Sequence, residues 1–462
     1  MKRREFLTNS AVLGAAVPLG IAAPAMLTSC SGSGGNRTRR RTYTPEELGM
    51  FSFVDRAPDG RPLRAALIGC GDRGTGAAFD FLHAGDNLEV VALADVLPDR
   101  LGRCRRALAE YMNNPVDDSR CFIGFDAYQK AIALSDVDVV LLCAPNHFRP
   151  DHLAAAVGAN KHVFMEKCAA VDPVGIRSII ATSRLASARN LTIITGNQRR
   201  HRRDYWEAFV EVKNGIIGDI VSATCHWNQG AFWDLRQRPE WSDMEYQIRN
   251  WFNVIWLGGD HILDQGVHNI DIVTWFMEDT PVRAVGYGGR ARRRSGDIFD
   301  FFSVDYTYGD GKRMLHTARQ IDGCDNNVSE QVLGTKGIAQ LNDRGEIRIV
   351  DYSGNILWEF DYANIPIPSP YRQEHVHLVE SIRLNKRINQ AEELAISNQV
   401  AIMGREAAYT GRAITWEEIM GSQLRYGPTP DQYAMGPVSR EFYQEGVVPI
   451  PGMPSPIPVR DS

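Results

Sequence analysis

The fold is decided by one stretch, residues 65–74, which reads AALIGCGDRG. Its apolar first half predicts a short buried strand, and residues 75–82 beyond it predict a helix. The glycines between them follow the spacing G-x-G-x-x-G. In such a turn Gly69 makes the tight bend, Gly71 lets a ligand approach the backbone, and Gly74 lets the helix pack closely on the strand.

A lone glycine-rich turn is weak evidence, but the residues after it support the same interpretation. A second apolar strand, residues 88–94, ends at Asp95, where an acid would meet the ribose of an adenosine. The helix N-terminus would receive a pyrophosphate. The sequence therefore predicts a dinucleotide site formed by Gly69, Gly71, Asp72, Arg73, Gly74 and Asp95. Because a carboxylate repels a 2′-phosphate, Asp95 favours NAD over NADP as the cofactor, and Arg100 is set back from it.

Composition sets the size and class of the protein. Of its 462 residues, 44% are hydrophobic and 23% are charged, so the chain has room for two domains and their cores. A formal net charge of −5 lacks the basic excess that binding to nucleic acid needs. We therefore expect no nucleic-acid partner.

The first half of the chain alternates between strand and helix patterns. Helical stretches at residues 98–111, 128–134 and 150–159 separate apolar strands at 137–142, 162–165 and 191–195. Such alternation predicts a parallel sheet with helices on both faces, and ligands gather at the carboxyl ends of its strands. Residues 61–197 are thus predicted to form an N-terminal Rossmann domain with a doubly wound parallel sheet.

The pattern changes after residue 197. Apolar strands at residues 220–227, 282–287, 301–308, 313–319 and 347–350 follow one another with few helices between them, and helical spacing returns at 374–387 and 392–410. The protein is therefore predicted to be α/β, with a C-terminal α+β domain over residues 198–420 whose sheet is open and mostly antiparallel. Residues 421–462 form a proline-rich tail without regular structure.

The first sixty residues are predicted to lie outside the two domains. Arg3 and Arg4 precede an apolar stretch at residues 11–27, so residues 1–30 resemble a twin-arginine export signal that ends in a lipobox with Cys30 as the lipidated residue. A transmembrane anchor is the alternative, but a short stretch interrupted by two prolines spans a bilayer poorly. We expect an exported protein, periplasmic or held at the periplasmic face by lipid, with residues 31–60 as linker and arm.

Three short motifs follow the predicted strands. They read Pro145-Asn146-His147, Glu166-Lys167-Cys168 and Asp264-Gln265-Gly266-Val267-His268. With these motifs in order, residues 62–420 resemble the Gfo/Idh/MocA family, the glucose–fructose oxidoreductase and inositol dehydrogenase group. The resemblance implies that Pro145, Asn146, His147, Glu166 and Lys167 contact the cofactor, and that Lys167, Asp264 and His268 are catalytic. The chain departs from the family at Cys168, where the family has a proline that would restrict the backbone of Lys167.

These residue types suit the oxidation of an alcohol by hydride transfer. His268 would take the hydroxyl proton, and Lys167 would stabilise negative charge on the reacting oxygen. Asp264 lies four residues before His268, which would place the two side chains on one helix face. His261 extends this stripe and could complete a Zn²⁺ site, but hydride transfer to a nicotinamide needs no metal, so we predict none.

The substrate leaves a weaker signal. Five tryptophans crowd into residues 227–256, where aromatic faces and polar side chains could hold a sugar ring, although core packing or a subunit interface would explain each of them as well. The candidate substrate residues are Arg199, His201, Tyr205, Trp241, Arg249 and His261.

The favoured function is an exported NAD(P)-dependent oxidoreductase with tightly bound cofactor, acting on a secondary alcohol of a sugar, glycoside or polyol. An NAD-dependent glycoside hydrolase that works by transient oxidation and elimination is the alternative, although the pair Glu166-Lys167 favours a dehydrogenase. A non-catalytic sugar or cofactor sensor is a third hypothesis, which the intact Lys167, Asp264 and His268 disfavour. The open sheet would suit a homo-oligomer, a dimer or tetramer.

Overall fold

The structure, a computed structural model, describes residues 41–342 and 346–453. The predicted export signal, the candidate lipidation site Cys30, the start of the linker and the end of the proline-rich tail lie outside the described residues. No helix among the residues that are described is long and apolar enough to span a bilayer.

The first sheet has six strands, all parallel, in the order β3-β2-β1-β4-β5-β6. The strands are β1 (Leu63–Ile68), β2 (Leu88–Asp95), β3 (Cys121–Ile123), β4 (Val139–Leu142), β5 (His162–Met165) and β6 (Ile193–Thr195). The chain reverses its direction of crossing between β1 and β4, and this reversal opens a crevice at the carboxyl ends of the two strands. The predicted doubly wound parallel sheet is confirmed.

Helices on both faces connect these strands. They are α1 (Asp72–His83), α2 (Pro98–Met112), α3 (Ala127–Ile132), α4 (Arg149–Gly158) and α5 (Pro173–Ala188). The glycine turn explains how closely α1 follows β1, since a Cβ on Gly74 would lie 1.8 Å from the carbonyl oxygen of Gly69. Only glycine permits this approach of helix to strand.

The second sheet has nine strands in the order β14-β13-β12-β11-β7-β10-β9-β8-β15. The strands are β7 (Ile220–Gln229), β8 (Arg283–Gly289), β9 (Phe301–Thr307), β10 (Arg313–Gln320), β11 (Asn327–Gly334), β12 (Gly337–Asn342), β13 (Arg348–Asp351), β14 (Ile356–Glu359) and β15 (Ile414–Thr415). Only the β7–β10 pair is parallel. The prediction of a mostly antiparallel sheet is confirmed, although the sequence did not predict β11, β12, β14 or β15.

The remaining helices cover one face of this sheet and part of the first. They are α6 (Arg203–Lys213), α7 (Asp243–Arg249), α8 (Ile255–Gly258), α9 (His261–Asp264), α10 (Val267–Met277), α11 (Pro370–Arg383), α12 (Ala391–Thr410) and α13 (Trp416–Gly421). Helix α11 follows the second sheet in the chain but packs on the first, where Val376 and Val379 share a core with Leu67 and Phe164.

The arm and the tail both pack on this body. Residues 41–60 form no helix or strand, and the ring of Phe51 stacks on His377 with centroids 4.3 Å apart. In the tail, Leu424 and Tyr426 are buried, and the Tyr426 hydroxyl donates to Glu406 at 3.1 Å. The described part of the proline-rich tail therefore belongs to the folded core.

Candidate active site

A cavity of about 480 Å³ lies at the carboxyl ends of the parallel strands. The glycine turn, the end of β2 and the segment between β7 and α8 all contribute lining residues. Lys167 and Asp264 line the cavity as well. It is lined by Gly69, Gly71, Asp72, Arg73, Gly74, Asp95, Arg100, Arg103, Phe125, Tyr128, Cys143, Pro145, Phe148, Arg149, His152, Lys167, Trp233, Leu235, Ile248, Arg249, Trp251 and Asp264, among others.

The glycine turn fits a dinucleotide. Helix α1 begins at Asp72 with Gly71 as its N-cap, and no side chain caps the helix. Its first backbone N–H groups therefore remain available to a pyrophosphate, which the helix dipole also favours. Gly69 has φ +94°, and a Cβ there would meet the backbone of Cys143 and Ala144 at 2.6 Å, so the bend needs glycine.

Asp95 marks one end of the cavity. Its carboxylate accepts from the backbone N–H groups of Cys70 at 2.6 Å and Leu97 at 2.7 Å, which fixes its position beside the turn. Burial raises the pKa of Asp95, although these two N–H groups act in the opposite direction. Arg100 and Arg103 line the cavity nearby, and a Cβ on Gly71 would lie 3.4 Å from the Arg100 guanidinium.

Arg73 and Glu166 form an ion pair behind the turn. The guanidinium Nε of Arg73 lies 2.8 Å from the Glu166 carboxylate, whose side chain is buried. The Arg73 guanidinium also lies over the ring of Tyr371 at 4.8 Å. Arg73 lines the cavity, whereas Glu166 lies behind it and holds Arg73 in place.

The Pro145-Asn146-His147 segment divides between the cavity and the core. Pro145 lines the cavity, whereas Asn146 is fully buried and uses its whole amide. Its Nδ2 donates to the carbonyl of Gly258 at 2.8 Å and to Asp264 Oδ1 at 3.2 Å, and its oxygen accepts from Arg149 at 2.5 Å. Asn146 therefore orients Asp264.

His147 lies on the far side of this segment, against the tail. Its Nε2 is 3.2 Å from the carbonyl oxygen of Pro428 and 2.9 Å from the hydroxyl of Tyr433. Burial lowers the pKa of His147 to about 3, so the ring is neutral. The structure places it away from the predicted cofactor contact.

Lys167 and Asp264 meet in the cavity. The ammonium of Lys167 lies 3.2 Å from Asp264 Oδ2 and donates to the backbone carbonyl of Asp264 at 2.5 Å. The Gln265 amide also donates to Oδ2, at 2.8 Å. Burial opposes the charge on Lys167, but the negative charges around it, Asp264 foremost, outweigh burial and raise the pKa. Lys167 is therefore a charged donor.

His268 is not on the same helix as Asp264, which corrects the expectation of one continuous helix. Asp264 ends α9 and His268 lies in α10. The chain breaks at Gln265–Gly266, where a Cβ on Gly266 would meet the Ile262 carbonyl at 2.5 Å and His316 at 2.7 Å. A turn therefore separates the two residues, and they do not share the face of one continuous helix.

His268 packs on Trp227 and is not among the residues that line the cavity, although Lys167 lies near enough to affect its charge. The centroids of these two rings are 5.4 Å apart, and the guanidinium of Arg199 lies 5.5 Å from the centroid of the Trp227 ring. Burial, together with the positive charges of Lys167 and Arg199, lowers the pKa of His268 well below its ordinary value. Its imidazole is therefore neutral and able to accept a proton.

Three of the candidate substrate residues, Arg199, His201 and Tyr205, lie in the core. Arg199 forms a buried ion pair with Glu330, and the Tyr205 hydroxyl lies 3.5 Å from the same carboxylate. His201 lies 2.7 Å from His377, nitrogen to nitrogen, and burial lowers its pKa to about 3. None of the three side chains lines the cavity.

The other candidates divide between the cavity and its surroundings. Arg249 lines the cavity, and Trp241 lies behind it with its ring 5.1 Å from the Arg249 guanidinium. His261 is fully buried and packs against the Phe302 ring at 5.1 Å. Within the described residues, no three His, Cys, Asp or Glu side chains form a group suited to a metal ion.

Several lining residues were not singled out by the sequence. Trp233 and Trp251 were noted only as members of the tryptophan cluster, and Leu235, Arg103 and Tyr128 gave no signal at all. The cluster of tryptophans was the available sequence signal for this part of the cavity. The residues next to each tryptophan in the sequence do not distinguish Trp233 and Trp251, which line the cavity, from Trp256, which is completely buried.

The fold and this cavity define a two-domain protein with a dinucleotide-binding crevice. Residues 63–193 match the family model described as an oxidoreductase family with an NAD-binding Rossmann fold, and residues 207–340 match that of the GFO/IDH/MocA C-terminal domain. The two matches span more than half of the chain. The chain belongs to the Gfo/Idh/MocA oxidoreductase family, as the sequence predicted.

Curated relatives match about half of the chain. D-glucoside 3-dehydrogenase of Escherichia coli is 27% identical over 231 residues, 48% of this chain and 56% of the relative. Inositol 2-dehydrogenase of Salmonella typhimurium is 25% identical over 217 residues, with 47% and 55% covered. A glycosyl hydrolase family 109 protein of Shewanella amazonensis is 25% identical over 219 residues, with 46% and 45% covered. The chain spans about half the length of these relatives.

Solved structures share the fold over a larger part of the chain. Aldose-aldose oxidoreductase from Caulobacter crescentus, complexed with glycerol, has a TM-score of 0.61 at 19% identity and covers 77% of this chain and 100% of its own. Levoglucosan dehydrogenase, in complex with NADH and levoglucosan, has a TM-score of 0.61 at 16% identity, with 77% and 99% covered. At these identities the likeness establishes the fold.

Proposed function

We propose that the protein is an NAD-dependent oxidoreductase that acts on a secondary alcohol of a sugar, glycoside or polyol. One observation supports this most directly: a single cavity joins the glycine turn to the Lys167–Asp264 pair. The names of the matched relatives, which include glucoside and inositol dehydrogenases, agree with this substrate class.

The residues around the cavity divide the work of alcohol oxidation. The glycine turn and Asp95 would hold the dinucleotide, whose nicotinamide supplies a hydride acceptor when it is bound. Lys167, charged and held by Asp264, donates a hydrogen bond to the reacting oxygen and stabilises its developing negative charge. His268, neutral because it is buried near two cations, takes the hydroxyl proton at an imidazole nitrogen.

We propose NAD as the preferred nucleotide. The charge of Asp95 supports it because a 2′-phosphate would bring a second negative group to that end of the cavity. Arg100 and Arg103 lie at the same end, so Asp95 is the group to test. Replacing Asp95 with Asn should lower the ratio of NAD to NADP affinity, and recovery of NADP from the purified wild-type protein would contradict the proposal.

We also propose that the protein is exported through its twin-arginine signal and lipidated at Cys30. A compartment without a free nicotinamide pool would require the cofactor to stay bound and to be recycled by a second sugar. Cell fractionation tests this: the double change Arg3→Lys and Arg4→Lys should retain the protein in the cytoplasm, and Cys30→Ala should abolish lipid labelling. An unchanged distribution in the first variant would contradict export by this route.

A glycoside hydrolase remains the second candidate, because glycosyl hydrolase family 109 proteins are among the matched relatives. A single-turnover experiment separates the two. Signal-free protein is mixed with a panel of glycosides, free sugars and inositols, while reduced-nicotinamide absorbance and product identity are followed together. Stable reduction with a keto product supports the dehydrogenase, whereas release of the aglycone with the cofactor returned to its oxidised form supports the hydrolase.

A further inference from the structure

The outer wall of the cavity is a segment of the second domain. We call residues 230–251 the cover segment, which includes α7. The cavity that the glycine turn lines is also lined by five residues of the cover segment: Trp233, Leu235, Ile248, Arg249 and Trp251. A dinucleotide in the cavity would therefore lie between the first domain and the cover segment.

Two buried asparagines hold the cover segment together. The side-chain oxygen of Asn250 accepts from the Leu235 backbone N–H at 3.1 Å, and Asn253 donates to the Trp233 carbonyl at 3.0 Å. Both asparagines are fully buried. These bonds tie residues 233–235 to residues 250–253, so the two parts of the segment that line the cavity are held to each other.

Those contacts differ between the two ends of the cavity. At the Lys167 end they are buried: Asn146 donates to Gly258 at 2.8 Å, and Lys167 pairs with Asp264. At the other end the cover segment reaches helix α2 through Arg249, whose guanidinium donates to both oxygens of Asp99 at 2.8 and 3.1 Å. The Asp99 side chain is 53% exposed.

Two neighbouring side chains hold Arg249 in position for this contact. It also donates to Glu245, one helical turn earlier, at 2.9 Å, and lies over the Trp241 ring. Its side chain is only 15% exposed. Asp99 precedes Arg100, a lining residue at the adenosine end of the cavity. The ion pair thus spans the opening beside the predicted adenosine site.

We propose that Asp99 and Arg249 form a latch that retains the bound dinucleotide and sets its rate of dissociation. The inference rests on the proposed function in one respect, that the dinucleotide occupies this cavity. The two hydrogen bonds between Arg249 and Asp99 fix the relative position of the side chains. Because the carboxylate is half-exposed, the ion pair is nevertheless weak and sensitive to salt. The adenosine end therefore opens more readily than the buried Lys167 end, and the nucleotide leaves there.

The test is the dissociation rate of NADH from the full chain, measured by nicotinamide fluorescence during a chase with excess NAD⁺. Asp99→Asn removes the charge from a residue outside the cavity lining, so it leaves the binding surface intact. We expect this variant to release NADH roughly fivefold faster at low salt, which corresponds to the strength of an exposed pair. Added salt should accelerate release from the wild type more than from the variant, because only the wild type has the ion pair for salt to screen.

Two controls separate a latch from a general loss of charge. Arg184 and Glu392 form a comparable exposed pair between α5 and α12, with its shorter contact at 2.7 Å, far from the cavity lining, so Glu392→Gln should release NADH at the wild-type rate. In an Arg249→Gln background, Asp99→Asn should add nothing, because the pair is already broken.

Three results would overturn the latch. One is release from Asp99→Asn at the wild-type rate with unchanged salt dependence, and another is equal acceleration by Glu392→Gln. The third is failure of the wild-type protein to bind NADH, which would also overturn the proposed cofactor. Measuring NADH occupancy before the chase distinguishes this third result from the other two.

Discussion

At the scale of single residues, the charge on Lys167 depends on its neighbour Asp264. The ammonium is mostly buried, and the carboxylate 3.2 Å away compensates for the lost hydration. In the proposed reaction, a charged donor at this place would act on the reacting oxygen and not on the far end of the dinucleotide. Lys167 should therefore contribute to turnover far more than to cofactor affinity.

Replacing Lys167 with Ala tests this division of roles. We expect kcat to fall by roughly 10²–10³-fold, as for the loss of one donor to a developing oxyanion. The NADH dissociation constant should change by less than about threefold, because the nucleotide would lose at most one weak contact. Turnover kinetics and fluorescence titration give the two numbers. Retained turnover would favour the sensor hypothesis.

The neutral state of His268 makes a prediction about pH. A base must be unprotonated to act, and burial with two nearby cations lowers the pKa of His268 well below 6.5. As pH falls, the imidazole therefore stays neutral past the point at which a free histidine would be protonated. The acid limb of kcat/KM should lie below pH 6.5. A limb centred above this value that persists in His268→Asn would assign the base elsewhere.

The sequence could predict the charged residues of the site but not their supports. The family resemblance assigned Lys167 and Asp264 to one catalytic group, and the structure brings these two side chains into contact. The role of Asn146 in holding Asp264 depends on contacts to positions more than 100 residues away, at Gly258 and Asp264. Such distant partners leave no trace in local spacing.

At the scale of elements, the turn between β1 and α1 depends on glycine for steric reasons. We expect Gly74→Ala to lower the free energy of unfolding by about 2 kcal/mol or more, because its Cβ would lie 1.8 Å from a backbone oxygen that cannot move aside. Urea unfolding followed by circular dichroism measures the change.

Gly76 in the same helix is the matched control. The nearest atom to a Cβ there is the flexible end of Arg73, 3.7 Å away, so Gly76→Ala should be neutral or stabilise the fold by about 0.5–1 kcal/mol. Equal destabilisation by the two substitutions would show that the close approach of helix to strand is not the cause.

Elements with a strong apolar period were predicted within a few residues, as α12 and β9 show. Strand β11 was missed because the charged Glu330 occupies one of its buried positions, and β12 was missed because two of its buried positions are the small residues Gly337 and Ala339. The break between α9 and α10 was missed for another reason. At Gly266 an added side chain would meet the Ile262 carbonyl and His316 of β10, and the second of these contacts is a tertiary one that local spacing does not encode.

At the scale of the whole molecule, one face of the second sheet carries exposed apolar side chains within the described part of the chain. Tyr287 on β8 is 65% exposed and Leu315 on β10 is 40% exposed, whereas Phe302 and Val304 on β9 face the core. Exposed apolar side chains on an open sheet are typical of an interface between subunits. They support the proposed dimer or tetramer.

The double change Tyr287→Lys and Leu315→Lys should dissociate this oligomer, because it places charges on a surface that must be desolvated. Sedimentation velocity would then show monomers where the wild type shows a dimer or tetramer. The matched change Tyr352→Lys, at another exposed tyrosine, on the turn between β13 and β14, should leave the assembly intact. A monomeric wild-type protein would contradict the proposal.

The proposed function requires that a hydride pass between a sugar carbon and a nicotinamide bound in this cavity. The most direct measurement mixes NAD-loaded protein with glycosides and inositols that carry deuterium on carbon, quenches after one turnover, and weighs the recovered nucleotide by mass spectrometry. We expect deuterium on the nicotinamide ring with the wild type and much less with Lys167→Ala. Product formation without deuterium on the nucleotide would contradict it.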